Sequence, residues 1–225
     1  LMLLLILMWT FVPVVWAFLQ SLKGWYELYM MPMRLLPRTF SLSNYSRVFE
    51  RMPEWPTYFK NTVNTTVGAI ALTVFCASLM GYAFARIDFR GRDLIFYLLV
   101  AAIFVPQIGG LIAQYRVMYV LDLRNSHLGL ALLFASNLSV PVFIMRQTFM
   151  SMPGEIEDAA RIDGAGRWRL FLTIALPFAS SAIVLVVILT FINVWGEYLV
   201  TITMIDDPGL YTLGIGLSMM TGGGT

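Results

Sequence analysis

Four acidic and four basic side chains crowd into Arg146 and the stretch Glu155–Arg169, and their spacing suits contact with a partner. From Ser151 the chain reads Ser-Met-Pro-Gly-Glu-Ile-Glu-Asp-Ala-Ala-Arg-Ile-Asp-Gly-Ala-Gly-Arg-Trp-Arg, and it continues to Leu176-Pro177. Pro153 suits a first helical position, where its missing N–H costs nothing. Glu155, Glu157 and Asp158 follow in the opening turns, where carboxylates complement the helix dipole. Ile156, Ala159, Ala160 and Asp163 fall at i, i+3, i+4 and i+7, which predicts one flat face of small side chains. Gly164 can take the positive φ that ends a helix. A second amphipathic helix is predicted from Arg167, with Trp168, Phe171, Leu172 and Ala175 on one face, and Pro177 leads into an apolar run. Helix, glycine, helix between two apolar runs is a shape that docks into a groove on another protein. The competing reading is a helix lying on lipid, which its three leading carboxylates disfavour at an anionic surface.

A second group of residues suits solute contact. Asn193 and Glu197 are four apart on one helical face, with Trp195 and Tyr198 beside them. An aromatic ring stacks on the apolar face of a sugar, while an amide and a carboxylate bond its hydroxyls. Interface anchoring is the alternative for Trp195 and Tyr198, and a place at the outer surface the alternative for Glu197. Gln107, Gln114, Ser136, Asn137 and Ser139 are further polar groups inside apolar runs, where such groups face protein or water; bridging between helices is the competing reading for each. Asn61, Thr62, Asn64, Thr65 and Thr66 could instead form a polar seam between helices. No nucleotide-binding Gly-x-x-x-x-Gly-Lys-Ser/Thr loop is present, and the only lysines are Lys23 and Lys60. His127 is the sole histidine and Cys76 the sole cysteine, so no catalytic residues, disulfide or thiolate metal site are expected.

The elements that must position these groups are membrane helices. Of 225 residues, 59% are apolar and 12% charged, and the mean hydropathy is +0.76. A soluble domain carries roughly 25% charged residues, so the bilayer is the expected solvent. The formal charge of +2 gives no basis for nucleic-acid binding. Five stretches free of Asp, Glu, Lys and Arg are each long enough to span a bilayer: Leu1–Leu22, Asn61–Ala85, Leu94–Tyr115, Asn125–Met145 and Leu170–Gly196. The fold class is therefore an all-α polytopic membrane protein. Pro106 with Gly109-Gly110 should kink or unwind the third run, and Pro141 the fourth. Residues 23–60 hold Pro32, Pro37, Pro53 and Pro56 beside Trp25, Tyr26, Tyr29 and Trp55. That composition fits an interfacial loop, with a short helix over Ser43–Glu50 capped by Ser43. Loop charge does not orient the chain, because the two sides would carry seven and eight basic residues. Leu1 already lies inside an apolar run, and the end follows Gly222-Gly223-Gly224; a longer parent with a sixth span is the expectation.

Residues 158–177 resemble the signature loop of ABC importer permeases: Glu-Ala-Ala, three residues, Gly, nine residues, Ile, one residue, Leu-Pro. Here the loop falls on Asp158-Ala159-Ala160, Gly164, Ile174 and Leu176-Pro177, every spacing kept, with Asp158 replacing Glu. Gly81-Tyr82-Ala83-Phe84-Ala85-Arg86 with Phe89-Arg90-Gly91-Arg92 is similar to the carbohydrate-uptake branch. So are Val105-Pro106 through Tyr115, Leu128-Gly129-Leu130, and Phe191 through Leu199, with Gly196 in place of a usual Asn. The likeness is to the smaller permease of the maltose importer.

The resemblance implies a single MetI-like permease domain over residues 1–225, with an outer loop at 23–60 and a cytoplasmic coupling loop at 151–177. It implies a subunit that moves a sugar or related polyol by alternating access in a bacterial or archaeal cytoplasmic membrane. Glu155, Asp158, Ala159, Ala160, Asp163 and Gly164 would couple it to ATPase subunits. Asn193, Trp195, Glu197, Gln107 and Asn137 would line the substrate pathway. The implied partners are a second homologous permease, two ATPase subunits and an extracytoplasmic substrate-binding protein, which residues 23–60 and 201–225 would meet. This chain would bind no cofactor or metal, ATP and Mg being held by the ATPase subunits. A permease for glycerol phosphate or another small solute is the near alternative. An ion-coupled secondary carrier is more distant, since no repeat or mid-span carboxylate is evident.

Overall fold

The computed structural model describes residues 2–31, 34–105 and 107–222, without the side chains of Leu3, Leu4, Gln107, Ile108 and Thr221. The expectations placed on Pro32, Pro106, Gly223 and Gly224, and on the side chain of Gln107, lie outside the described residues. All regular elements among the described residues are helical, and they form two compact units, residues 1–55 with 222–225 and residues 56–221.

In the first unit, helix α1 (Met2–Ser21) is apolar throughout and carries Pro13. Its last turn leaves carbonyls without helical donors. The Asn44 side chain meets this need, donating to Ser21 O at 3.0 Å and Lys23 O at 2.6 Å. Lys23 is buried and its ammonium donates to the Arg34 carbonyl. Helix α2 (Ser43–Arg51) matches the predicted interfacial helix. The cap does not: Ser43 is already helical, and its N–H is taken by the Ser41 hydroxyl at 3.2 Å.

Helix α3 (Trp55–Arg86) has 32 residues, about 48 Å at 1.5 Å per residue, more than the roughly 30 Å of hydrocarbon. It buries a stripe that includes Thr62, Thr65, Thr66, Ala69, Thr73, Ala77, Ser78 and Gly81. Small side chains let other helices approach: a Cβ on Gly81 would lie 2.6 Å from Met145 Cβ.

The third apolar run is broken. Helix α4 (Arg92–Ala101) follows Gly91 at φ +85°. Two 3-10 turns at Ala102–Phe104 and Gln107–Gly110 separate it from α5 (Leu111–Val120). The fourth run divides into α6 (His127–Ala135) and α7 (Ser139–Ser151), bent by 54°. This break falls at residues 136–138, before Pro141, which occupies the first turn of α7 where its missing N–H is harmless.

Helix α8 (Gly154–Ile162) starts one residue after Pro153, which serves as its N-cap position. Beyond it, α9 (Arg167–Leu170) enters a π-helical turn at Phe171–Ala175 and a last turn at Leu176–Phe178. A 72° bend then leads into α10 (Ser180–Trp195). The fifth run is thus two segments, not one straight helix. Helices α11 (Leu199–Met204) and α12 (Leu213–Gly222) are the last described helices. By length and composition, α3 is the one described helix able to cross a membrane, and there are up to three spans if each bent pair counts as one.

Two cores hold the second unit. One packs Phe84, Phe96, Met145, Phe149, Phe171 and Ala175. The other packs Ala69, Leu130, Phe134, Val194, Met204 and Ile205. The expected polar seam exists in part between α3 and the final segment. Asn61 Nδ2 donates to Gly209 O and Tyr211 O at 2.9 and 3.0 Å, and the Thr62 hydroxyl accepts the Leu213 N–H at 2.9 Å. Asn64 is exposed and takes no part in it.

Candidate functional site

Helix α8 presents two chemically different faces. Glu155, Ile156, Asp158, Ala159, Ile162 and Asp163 are exposed, while Glu157 and Ala160 are buried. The single small-residue face drawn from sequence therefore splits, because Ala160 packs inward, three residues on from Glu157, while Ile156, Ala159 and Asp163 look outward. Ile162 is 87% exposed, an apolar side chain with no cover beside carboxylates.

Gly164 ends the helix as expected. Its φ is +78°, the Gly164 N–H bonds Arg161 O at 3.0 Å, and the Ala165 N–H bonds Ala160 O at 2.9 Å. This 5→2 and 6→1 pair is a Schellman closure, which needs a residue tolerant of left-handed backbone. No atom lies within 4 Å of a Cβ built at Gly164, so the glycine serves backbone conformation and not close packing.

Sequence reasoning missed Glu157. Its side chain is 6% exposed, with Oε1 3.2 Å from Arg86 Nε and Oε2 3.5 Å from an Arg161 nitrogen. The Arg86 N–H groups are aimed elsewhere: Nε and one terminal nitrogen donate to Phe149 O at 3.0 and 2.7 Å, and the same terminal nitrogen reaches Met152 O. Arg86 ends α3, whereas Phe149 and Met152 carry carbonyls at the end of α7, where Phe149 O also accepts the Met152 N–H at 3.3 Å. One guanidinium therefore joins three helices, and Glu157 neutralises it. The available signal was the inward i, i+3 pair Glu157 and Ala160, with a lone arginine closing the long helix. Arg146 adds a second tie between α7 and α3, with its Nε 3.3 Å from Phe84 O and its guanidinium carbon 4.1 Å from the Phe96 ring centroid.

The predicted second amphipathic face also changes. Leu170, Phe171 and Ala175 are buried, yet Trp168 and Leu172 are exposed. The π turn inserts an extra residue into the helical repeat, so a face counted at 3.6 residues per turn loses register across it.

The polar pathway candidates are brought together. A cavity of about 480 Å3 is lined by Gln114, Ser136, Asn137, Ser139, Asn193 and Glu197, with Val105, Leu111, Phe134 and Val200 among its apolar walls. The breaks in the third and fourth runs form part of this wall, through Ala102, Gly110, Ser136 and Asn137. Among the described residues that line it there is no Lys or Arg. Glu197 also has a local duty that spacing did not suggest. Its carboxylate accepts the Val200 and Thr201 N–H groups at 3.0 and 3.1 Å and faces the Thr201 hydroxyl at 3.2 Å, so it caps α11. Trp195 is not in the cavity. It stacks on Phe191, centroids 4.9 Å apart, and meets Phe59 edge-on at 5.9 Å. His127 lies beside Thr65, Nδ1 to hydroxyl 3.2 Å. Among the described residues no group of three His, Cys, Asp or Glu side chains gathers that could hold a metal.

The family model described as "Binding-protein-dependent transport system inner membrane component" matches residues 1–222. The chain is 31% identical over 212 residues to the sulfoquinovosyl glycerol transport system permease protein SmoH of Agrobacterium fabrum, covering 93% of this chain and 74% of that one. It is 30% identical over 210 residues to the arabinooligosaccharides transport system permease protein AraQ of Bacillus subtilis, covering 92% and 74%. A crystal structure of a bacterial ABC transporter involved in the import of the acidic polysaccharide alginate has the same fold. Its TM-score is 0.85 at 23% identity, over 96% of this chain and 76% of that chain.

Proposed function

Because the chain belongs to the family of binding-protein-dependent transport system inner membrane components, we propose that it carries a sugar or related polyol across a bacterial or archaeal cytoplasmic membrane. It is a permease subunit of an ATP-driven ABC importer. Its working partners are a second, homologous permease, two ATPase subunits that hold ATP and Mg, and an extracytoplasmic binding protein. This chain contributes no hydrolytic chemistry; it converts movement at α8 into rearrangement of the spans.

The observation that carries this reading is the split α8. Its outward face offers Ile156, Ala159 and Ile162 between Glu155, Asp158 and Asp163, an apolar strip edged with carboxylates that fits a groove on an ATPase subunit. Its inward face is tied to α3 and α7. A helix loaded on one side and anchored on the other passes force without bending. The Gly164 closure fixes where the helix stops and where α9 begins.

The cavity supports the cargo class. Amide and hydroxyl groups of Gln114, Ser136, Asn137 and Asn193 donate to and accept from sugar hydroxyls, while Leu111, Phe134 and Val200 face apolar C–H surfaces. Glycerol phosphate would want cationic partners for its phosphate, and this wall supplies none.

A test of coupling is Gly164→Val in the assembled importer. A β-branched residue is strained at φ +78°, so binding-protein-stimulated ATPase activity and uptake should both fall. Wild-type uptake and stimulation in this variant would overturn the role of α8. A solute screen on the cognate binding protein tests the cargo: sugars or polyols should bind, and selection of a phosphate ester alone would refute the class.

A further inference from the structure

The groups that face outward from α8 account for docking, but they do not explain how the helix is held to the spans. The buried side of α8 does. Glu157 is 4% exposed as a residue, in a chain where a buried carboxylate is costly unless a cation answers it. Arg86 answers it at 3.2 Å. Arg86 spends its directed N–H bonds on the last carbonyls of α7, at Phe149 and Met152. A lysine could supply the charge but not the planar fork that bonds both carbonyls while its charge faces the carboxylate.

The surroundings favour a rigid joint. Phe149 is wholly buried and packs edge-on against Tyr82, ring centroids 5.5 Å apart, and Tyr82 also meets Phe171 at 5.1 Å. Ends of α3 and α7 and the π turn after α9 thus share one aromatic cluster. Gly81, one turn before Arg86, brings α3 against α7 at Met145 so closely that a Cβ there has no room. The end of α3, the end of α7 and α8 form a single body with Arg86 at its centre.

We propose that Arg86 and Glu157 are positioning residues for energy coupling. They clamp α8 to the ends of α3 and α7, so that displacement of α8 by the ATPase moves the spans, and a signal from the outer face returns by the same route. This rests on the reading of α8 as the ATPase-docking helix and adds the link that makes docking productive. Neither residue needs to touch the ATPase or the solute.

The test uses the importer assembled with its ATPase and binding protein in proteoliposomes, carrying Glu157→Gln or Arg86→Lys. Glu157→Gln keeps size and hydrogen-bonding ability and removes the charge; Arg86→Lys keeps charge and removes the fork. In each, the ATPase subunit should copurify at wild-type yield and basal ATP hydrolysis should be unchanged. Stimulation by the binding protein should fall by at least about fivefold, the lower end of ordinary coupling between sites. Wild-type stimulation in a variant that assembles overturns the proposal. Loss of assembly in both variants assigns the pair to folding alone and overturns it too. Ile162→Asp separates this outcome from failure of the docking reading. That variant alters only the exposed face and should lose the copurifying ATPase, and if it retains the ATPase the docking reading falls, whatever Glu157→Gln does.

Discussion

Replacing Gly81 with alanine should loosen the joint between α3 and α7 more than a single methyl suggests. A Cβ built there lies 2.6 Å from Met145 Cβ, 3.0 Å from Arg146 N and 3.1 Å from Met145 C. Two of these are backbone atoms, so no side-chain rotation relieves the clash and the helices must part by about 1 Å to reach ordinary carbon–carbon separation. Overpacking of this kind costs about 1–3 kcal/mol. For a domain of this size that corresponds to a fall of about 2–12 °C in unfolding midpoint. The displacement would also stretch the Arg146–Phe84 contact at 3.3 Å and disturb Arg86 one turn on, so coupling should weaken together with stability. The control is Gly196→Ala, where no atom lies within 4 Å and φ is −102°. That change should be neutral or raise stability by up to about 1 kcal/mol. Thermal unfolding of both variants in one detergent, read by tryptophan fluorescence, gives the comparison. Equal midpoints for Gly81→Ala and wild type would refute the claim that glycine is required by close approach.

Three further outcomes follow from the geometry. Arg86→Ala removes the nearer of the two cations facing the buried Glu157 carboxylate, Arg161 remaining at 3.5 Å, and should cost about 3 kcal/mol, the lower end for a broken buried pair, whereas Arg86→Ala with Glu157→Leu should recover part of that loss; unfolding midpoints or expression yields compare them. Glu197→Ala removes the bonds to the Val200 and Thr201 N–H groups and should destabilise by about 1 kcal/mol, measured in the same unfolding assay, with Glu197→Gln retaining most of it. Asn137→Ala or Asn193→Ala should raise the KM for uptake about tenfold, from the loss of one hydrogen bond worth about 1.4 kcal/mol, while Trp195→Ala leaves KM unchanged because its ring packs on Phe191 and Phe59.

Much of this was legible from residue types alone. Apolar runs without charge specified membrane helices, and Gly109-Gly110 announced the break between α4 and α5. Gly164 ended α8 where its spacing from Pro153 required. Carboxylates at Glu155 and Asp158 are exposed, as their place in the first turns of a polar helix face suggested. What failed were inferences that depend on register or on tertiary approach. A helical wheel treats Ala160 and Asp163 as neighbours of Ile156, yet inward packing of Ala160 divides that face. The π turn at Phe171–Ala175 is invisible to a count at 3.6 residues per turn, so Trp168 and Leu172 parted from Phe171 and Ala175. Glu157 looked like one more dipole-pairing carboxylate; only the three-dimensional meeting of two helix ends with Arg86 distinguishes it. Asn137 and Asn193 lie 56 positions apart (193 − 137), and their shared cavity arises from bends that local sequence signals without giving their direction. Trp195 suited sugar stacking by type, but aromatic packing against Phe191 claimed it first.

The most direct test of the central claim is site-specific photo-crosslinking in the assembled importer. The crosslinking residue is placed at Ile162, 87% exposed on α8, and in a control at Ile192, 68% exposed on α10. The account predicts capture of the ATPase subunit from Ile162, altered by ATP, and none from Ile192. Absence of the ATPase from the Ile162 product, or its equal capture from Ile192, would contradict it.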